Sequence, residues 1–224
     1  ALAFSGSLQL LTLSVFGVLF QWLIISIFLR GRCFHRSRNV ALFYSLLLCL
    51  ISIISYSQSI SIGGALSPYL GGSDGEGYFE SALELGGPDK LDRLGLIGSA
   101  YFGYQLILSY AFDILGQNLF VGLWLNNTVL ILSLLLVVKT TWLLTEDKAS
   151  AFYSAIAFIL TSKFIFYSNV LLKDPFLMLG VALISYMVAL THKRPGSLPI
   201  SFFLLIFAAF IFGMMRQPML VLIP

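Results

Sequence analysis

The stretch LFVGLWLNNTVLILSLLLVVKTTWL, residues 119–143, contains a single charged side chain, Lys139. A helix needs about 20 mostly apolar residues to cross the roughly 30 Å hydrocarbon interior of a bilayer. This stretch is therefore predicted to be a membrane-spanning helix. Five further apolar stretches of similar character surround it in the chain and are predicted to be spans as well: 8–29, 40–61, 149–168, 174–191 and 199–215.

The composition of the whole chain agrees with this interpretation. Hydrophobic residues make up 58% of the 224 residues and charged residues only 10%, whereas soluble domains carry about a quarter charged residues. In water such a chain would expose large apolar patches. We expect one all-α domain over residues 1–224, a polytopic transmembrane helix bundle of about six spans and a portion of a longer protein. No nucleic-acid partner is expected.

One segment, residues 62–94, departs from the apolar background. It carries six of the ten carboxylates in the chain: Asp74, Glu76, Glu80, Glu84, Asp89 and Asp92. It is predicted to be a water-exposed loop at the mouth of the bundle.

The basic residues predict which side this loop faces. They cluster at 30–38 and 192–194, and Lys139 and Lys148 flank a turn near residue 145. Short cytoplasmic loops are enriched in Lys and Arg, and all three clusters share one side only if the apolar stretch 96–116 does not cross. We therefore expect one or two interfacial or groove-packed helices there, within a non-cytoplasmic loop over 62–117.

Asp74 and Glu76 lie among four glycines, at 71, 72, 75 and 77. In an irregular loop, two carboxylates this close can share a cation, or one can act as a general base while the other holds a metal or a hydroxyl. The alternative is a solvated surface loop. A short helix is predicted to start near Tyr78.

Lys173-Asp174-Pro175 forms a second informative site. Proline is favoured in the first turn of a helix and Asp can cap that turn, so Asp174 could be only an N-cap and Lys173 a lipid-interface anchor. Both could equally serve a site at the non-cytoplasmic ends of the helices. Arg216 could anchor to headgroups or hold a phosphate. The sequon-like triplet at 126–128 falls inside a span and is not expected to be glycosylated.

The order of these features resembles the membrane-embedded GT-C glycosyltransferases, in particular bacterial relatives of the protein O-mannosyltransferases and the aminoarabinose transferase. That family carries Asp-Glu-x-x-Tyr-x-x-x-Ala in its first outer loop, and Asp74, Tyr78 and Ala82 fall in those places. Residues 103–116 resemble its interfacial helix, and residues 167–175 resemble its second outer junction. The resemblance covers about residues 40–190.

Three departures accompany the resemblance. Gly75 stands where the family has Glu, with Glu76 one residue later, and Tyr104-Gln105 replaces the usual Lys/His-Pro-Pro. The span at 8–29 is additional.

The resemblance implies an inverting enzyme that moves a sugar from a polyprenyl-phosphate donor to an acceptor glycan, lipid or protein outside the cytoplasm. It implies residence among the lipids of a bacterial inner (plasma) membrane. Asp74 would be the base and Asp174 a second acid; Glu76 and Tyr78 would bind substrate. Lys173 and Arg216 would neutralise the donor phosphate. Asp74, Glu76 and Asp174 could together hold a divalent cation.

Other functions fit the same composition. A transporter, flippase or channel component could use the acidic segment to gather cations, but it should also show ionisable residues near mid-bilayer and repeated halves. An enzyme of envelope polysaccharide synthesis resembling the O-antigen polymerases, or a catalytically silent scaffold subunit, are further alternatives.

Overall fold

The computed structural model describes residues 2–61, 73–86, 102–161 and 170–215, and the regular structure within them is entirely helical. Within these ranges, eight α-helices follow one another: α1 (Leu2–Phe28), α2 (His35–Ser61), α3 (Ser73–Glu84), α4 (Phe102–Leu115), α5 (Leu119–Thr145), α6 (Lys148–Leu160), α7 (Asp174–Lys193) and α8 (Leu198–Met215). Short 3-10 turns at Arg32–Phe34 and Pro195–Ser197 precede α2 and α8.

Five of these helices, α1, α2, α5, α7 and α8, are long and apolar enough to cross a membrane. They correspond to five of the six predicted spans. The sixth prediction, at 149–168, is not confirmed, because α6 has only 13 residues and residues 162–169 lie outside the described part of the chain. The helix bundle is thus confirmed, and its sixth span stays a prediction.

The long apolar stretch 119–143 forms the centre of the bundle, as most of α5. In α5, 78% of the most apolar stretch is buried, against 22% to 44% in the other four long helices. Its most extensive packing is against α7, and it also contacts α1, α2, α4 and α6. An almost uncharged helix can be surrounded in this way because it carries few side chains that need water.

The outer helices present apolar faces to their surroundings. Along α1, exposed side chains recur at every fourth position: Leu11, Val15, Leu19, Leu23 and Ile27. On α8, Phe202, Phe203 and Phe210 are each more than half exposed. Apolar faces along helices of spanning length match the hydrocarbon interior of a bilayer, and together they indicate a membrane protein.

The basic clusters meet at one end of the bundle, as predicted. Arg32, Arg36 and Lys148 line a single cavity between the start of α2 and the start of α6. At the end of α7, Lys193 Nζ lies 3.0 Å from Glu146 Oε1, just beyond the end of α5. We call this end, marked by Arg32, Arg36, Lys148 and Lys193, the basic end.

Within the predicted stretch 96–116, the structure describes residues from 102 onward, which form α4. At 14 residues, α4 is roughly 21 Å long, too short to cross the hydrocarbon interior. It packs against α3, α5 and α8, and Asp113 on it is exposed. Its length is consistent with the predicted non-crossing helix, and residues 96–101 lie outside the described part.

Candidate functional site

The acidic segment is more regular than its glycine content suggests. Asp74 and Glu76 were predicted to lie in an irregular loop, with a helix starting near Tyr78. That prediction is wrong, because α3 already begins at Ser73 and both carboxylates lie in its first turn. Carboxylates are favoured there because the helix dipole places partial positive charge at the N-terminus.

Helix α3 is amphipathic, and its apolar face packs against α4. Ala82 and Leu85 are buried, whereas Asp74, Glu80 and Glu84 are exposed. Two edge-to-face aromatic pairs join the helices: Tyr78 with Tyr104 at 5.2 Å between ring centroids, and Phe79 with Phe112 at 5.3 Å. These pairs fix the position of α3 along α4.

The start of α7 reaches the same place. Lys173 Nζ lies 5.8 Å from the centroid of the Tyr78 ring, within the range of a cation–π contact. The Tyr104 ring also packs edge-to-face against Phe176, at 5.8 Å. Because Asp74 lies four residues before Tyr78, it is on the same flank of α3, one turn away. The two acidic sites of the sequence therefore lie at one end of the bundle.

The start of α7 differs from the predicted cap. Asp174 was considered as the N-cap, but the helix begins at Asp174 itself and Lys173 occupies the N-cap position, with no side-chain cap hydrogen bond. Pro175 follows in the first turn. Asp174 is half-buried and remains available for a role other than capping.

A buried asparagine on α5 holds the residues that precede Lys173. Asn126 is fully buried, and its Nδ2 donates to the main-chain carbonyls of Val170, at 3.0 Å, and Leu172, at 3.2 Å. Its Oδ1 accepts a hydrogen bond of 3.1 Å from the Tyr104 hydroxyl. Burial raises the pKa of the Tyr104 phenol, so the hydroxyl remains protonated and can donate.

Sequence reasoning assigned no role to Asn126. The triplet at 126–128 was considered only as a glycosylation sequon and set aside because it lies inside a span. The signal was nevertheless present, because an amide side chain inside a span is costly unless it is hydrogen-bonded within the protein.

A further polar network lies between the long helices. Ser45 on α2 donates to Gln21 Oε1 on α1 at 2.6 Å, and Gln21 Nε2 donates to Thr128 on α5 at 3.1 Å. Asn127 Nδ2 donates to Ser52 Oγ on α2 at 2.7 Å. These hydrogen bonds link α1, α2 and α5. They specify the rotation of each helix about its own axis more closely than apolar packing alone would.

Several predicted site features lie beyond what the structure describes. Arg216 falls outside the described residues, so its approach to Lys173 stays a prediction. Among the residues described, no three His, Cys, Asp or Glu side chains come together in a group that could hold a metal ion.

No protein-family model, no curated protein and no solved structure matches this chain. The likeness to the GT-C glycosyltransferases therefore rests on the motifs and their order along the sequence.

Proposed function

We propose that this chain is a membrane glycosyltransferase that moves a sugar from a polyprenyl-phosphate carrier to an acceptor hydroxyl on the non-cytoplasmic side. The observation that carries the proposal is the contact of Lys173 Nζ with the Tyr78 ring at 5.8 Å. It puts a cation from the start of α7 beside Tyr78, which lies four residues after the carboxylate Asp74 on α3.

The proposed reaction is a single displacement at the sugar. Asp74 takes the proton from the acceptor hydroxyl, and the acceptor oxygen forms a bond to the anomeric carbon from the face opposite the phosphate. The bond between that carbon and the phosphate oxygen breaks, and its electron pair leaves with the polyprenyl phosphate. The anomeric configuration is therefore inverted, as the resemblance implies.

The charges near the site suit the two developing charges of this reaction. A carboxylate near the acceptor serves as general base, and a cation near the phosphate stabilises the negative charge of the leaving group. Lys173 supplies that cation in the described part of the chain, and Arg216 is proposed as the second. Asp174 is proposed as a second acid beside them, and with Asp74 and Glu76 it could ligate a divalent cation.

The buried polar side chains favour an enzyme over a transporter. Those in the described residues are all uncharged Ser, Thr, Asn or Gln. A transporter that moves ions or charged solutes is expected to keep ionisable side chains near mid-bilayer. Among the described residues of the five long helices, the only carboxylate is Asp174, at the start of α7.

The test is the transfer of labelled sugar from polyprenyl-phosphate sugars to an added hydroxyl acceptor by the purified protein in detergent, with and without EDTA. Asp74→Asn should lower the rate at least about 100-fold, the usual size of general-base catalysis, and Asp174→Asn should also lower it. Glu80→Gln is the matched control, because Glu80 is an exposed carboxylate on the same helix.

Undiminished transfer by the Asp74→Asn, Asp174→Asn double variant would overturn the catalytic assignment. An equal loss in Glu80→Gln would show that the effect comes from the charge of α3 as a whole. Inhibition by EDTA that added Mg²⁺ or Mn²⁺ reverses would assign the carboxylates a metal.

A further inference from the structure

A cavity of about 470 Å³ lies at the basic end of the bundle. Helix α7 separates the two sites, because it begins at the proposed glycosyltransferase site and ends at the basic end. The cavity opens between the turn that joins α1 to α2 and the first turn of α6. Nine residues line it: Arg32, Cys33, His35, Arg36, Asp147, Lys148, Ala149, Phe152 and Tyr153. Its volume is within the range of about 300–1,000 Å³ that small-molecule sites occupy.

The walls of this cavity are predominantly cationic. Arg32 and Arg36 come from one side and Lys148 from the other, against one carboxylate, Asp147. That carboxylate is already used as the N-cap of α6. It accepts hydrogen bonds from the main-chain N–H of Ala149 at 3.2 Å and from the N–H and hydroxyl of Ser150, both at 2.7 Å. Its charge is thus directed at its own helix.

His35 adds a hydrogen-bond donor to the same wall. A guanidinium nitrogen of Arg38 lies 3.2 Å from His35 Nδ1. Because a guanidinium can only donate, Nδ1 must accept, and the ring proton of a neutral His35 is then on Nε2. The cavity therefore combines two guanidinium groups, an ammonium and an imidazole N–H.

The position of the cavity matches the headgroup layer of a bilayer. Arg32 follows the end of α1 by four residues, and Lys148 is the first residue of α6. Phe152 and Tyr153, whose ring centroids are 5.5 Å apart, line the cavity on the α6 side. Basic pockets between helices on the cytoplasmic side commonly hold the headgroups of anionic lipids, and planar guanidinium groups match phosphate geometry.

We propose that this cavity binds a phosphate group, supplied either by the headgroup of an anionic lipid or by a soluble phosphate. Arg32, Arg36 and Lys148 hold the phosphate oxygens, and His35 donates a further hydrogen bond. The proposal is independent of the glycosyltransferase assignment, because none of these residues belongs to the site at the start of α3 and α7.

The test measures the apparent Kd of two probes from the shift in thermal unfolding of the detergent-solubilised protein. The probes are dihexanoyl phosphatidic acid and inorganic phosphate, and dihexanoyl phosphatidylcholine is the neutral comparison. Arg36→Gln and Lys148→Gln should each weaken phosphate-group binding about fivefold. Arg30→Gln is the matched control, because Arg30 is exposed two residues from Arg32 and does not line the cavity.

Each outcome decides the proposal. Binding of phosphatidic acid alone, weakened in the two lining variants, supports a lipid source, and equal binding of inorganic phosphate supports a soluble one. Binding that is unaffected by both lining variants, or weakened equally by Arg30→Gln, overturns the site. Binding of phosphatidylcholine as tight as that of phosphatidic acid overturns it as well.

A second measurement remains informative if a lining variant fails to fold. Cys33 lines the cavity and is a free thiol, so its reaction with a maleimide reports occupancy in a Cys49→Ala protein whose cavity is otherwise unchanged. Either anionic probe, phosphatidic acid or inorganic phosphate, should slow that reaction severalfold, and zwitterionic phosphatidylcholine should not. An unchanged reaction rate at saturating concentrations of both anionic probes would contradict the proposal.

Discussion

Asn126 Nδ2 on α5 lies 3.0 Å from the main-chain carbonyl oxygen of Val170, three residues before Lys173. The same nitrogen donates to Leu172, and the amide oxygen accepts from Tyr104 on α4. One side chain therefore joins α5, α4 and the residues that lead into α7. Because Tyr104 also packs on Tyr78, the position of Lys173 relative to α3 depends on this amide.

Replacing Asn126 should therefore affect both stability and the proposed transfer. Asn126→Ala removes the hydrogen bonds that this side chain makes with the Val170 and Leu172 carbonyls and with the Tyr104 hydroxyl, and is expected to cost about 1–3 kcal/mol. Tyr104→Phe removes only one of the three hydrogen bonds and should cost less. Reversible unfolding in SDS measures the stability of both variants. Equal stability of Asn126→Ala and the unchanged protein would show that the hydrogen bonds of Asn126 do not stabilise the fold.

Gly103 marks a close approach between α4 and α8. A Cβ at Gly103 would meet the main-chain oxygen of Met214 at 2.5 Å, so Gly103→Ala must separate the two helices and should lower stability by about 1–3 kcal/mol. Gly77 in α3 has open space around it, and Gly77→Ala should raise stability by up to about 1 kcal/mol, because Ala is the better helix former. The same SDS titration compares them, and equal effects would contradict the close packing.

The Lys173–Tyr78 contact predicts that substitutions at these two residues lower the rate of sugar transfer by different amounts. Lys173→Gln removes the proposed phosphate cation and should lower the rate about 100-fold, whereas Lys173→Arg should retain most of it. Tyr78→Phe keeps the ring and therefore the cation–π contact, whereas Tyr78→Leu should have a rate about fivefold below that of Tyr78→Phe because it releases the ammonium. A Tyr78→Leu variant as active as Tyr78→Phe would show that the ring does not position Lys173.

Asp147 should make the start of α6 sensitive to acid. Hydrogen bonds from the Ser150 hydroxyl, and then from the main-chain N–H groups of Ser150 and Ala149, lower its pKa in the folded protein. Its contribution is therefore complete above the unfolded-state pKa of about 3.9 and is lost as the pH falls through the lower folded-state pKa. Asp147→Asn keeps a capping oxygen that does not titrate.

The measurement is the unfolding midpoint of both proteins between pH 7 and pH 2.5. The advantage of the unchanged protein over Asp147→Asn should shrink as the pH falls below about 4. A difference that stays constant over the whole range would show that the cap does not depend on the charge of Asp147.

Two open glycines allow a direct test of sidedness. Gly77 on α3 and Gly196, between α7 and α8, each have nothing within 4 Å of the position that a Cβ would take, so single cysteines there should not disturb packing. In a Cys33→Ser, Cys49→Ala background, Gly77→Cys should react with an impermeant maleimide on intact cells. Gly196→Cys should react only after the membrane is opened, and labelling of both from outside would overturn the proposed orientation.

The sequence predicted which segments are suited to lipid and where the charged residues gather. Length and apolar content predicted six spans, five of which correspond to the long helices, because the thickness of a bilayer sets how many apolar residues a span requires. The clustering of Lys and Arg predicted that three distant basic segments share one end, and Glu146–Lys193 and the lining of the cationic cavity confirm it. The same argument predicted that 96–116 does not cross.

The sequence was less informative about where helices begin, because the residues near a helix start fit more than one local structure. The glycines at 75 and 77 suggested an irregular loop, but packing of Tyr78 and Phe79 on α4 stabilises a helix that starts at Ser73. Tertiary contacts overrode the weak local propensity of glycine. Helix α7 begins at residue 174, where the predicted span began, so Lys173 and not Asp174 occupies the N-cap position.

Only the tertiary structure decided which distant residues meet. Bilayer thickness and the cost of burying charge act on each segment by itself, so the sequence alone determined the membrane class and five long apolar helices, and it predicted that the basic segments share one end. The partners of Asn126 and the approach of Lys173 to Tyr78 depend on how α3, α4, α5 and α7 pack against one another. Such contacts depend on several helices together. A side chain meets a distant partner only when each helix has the right rotation about its axis and the right position along its neighbours.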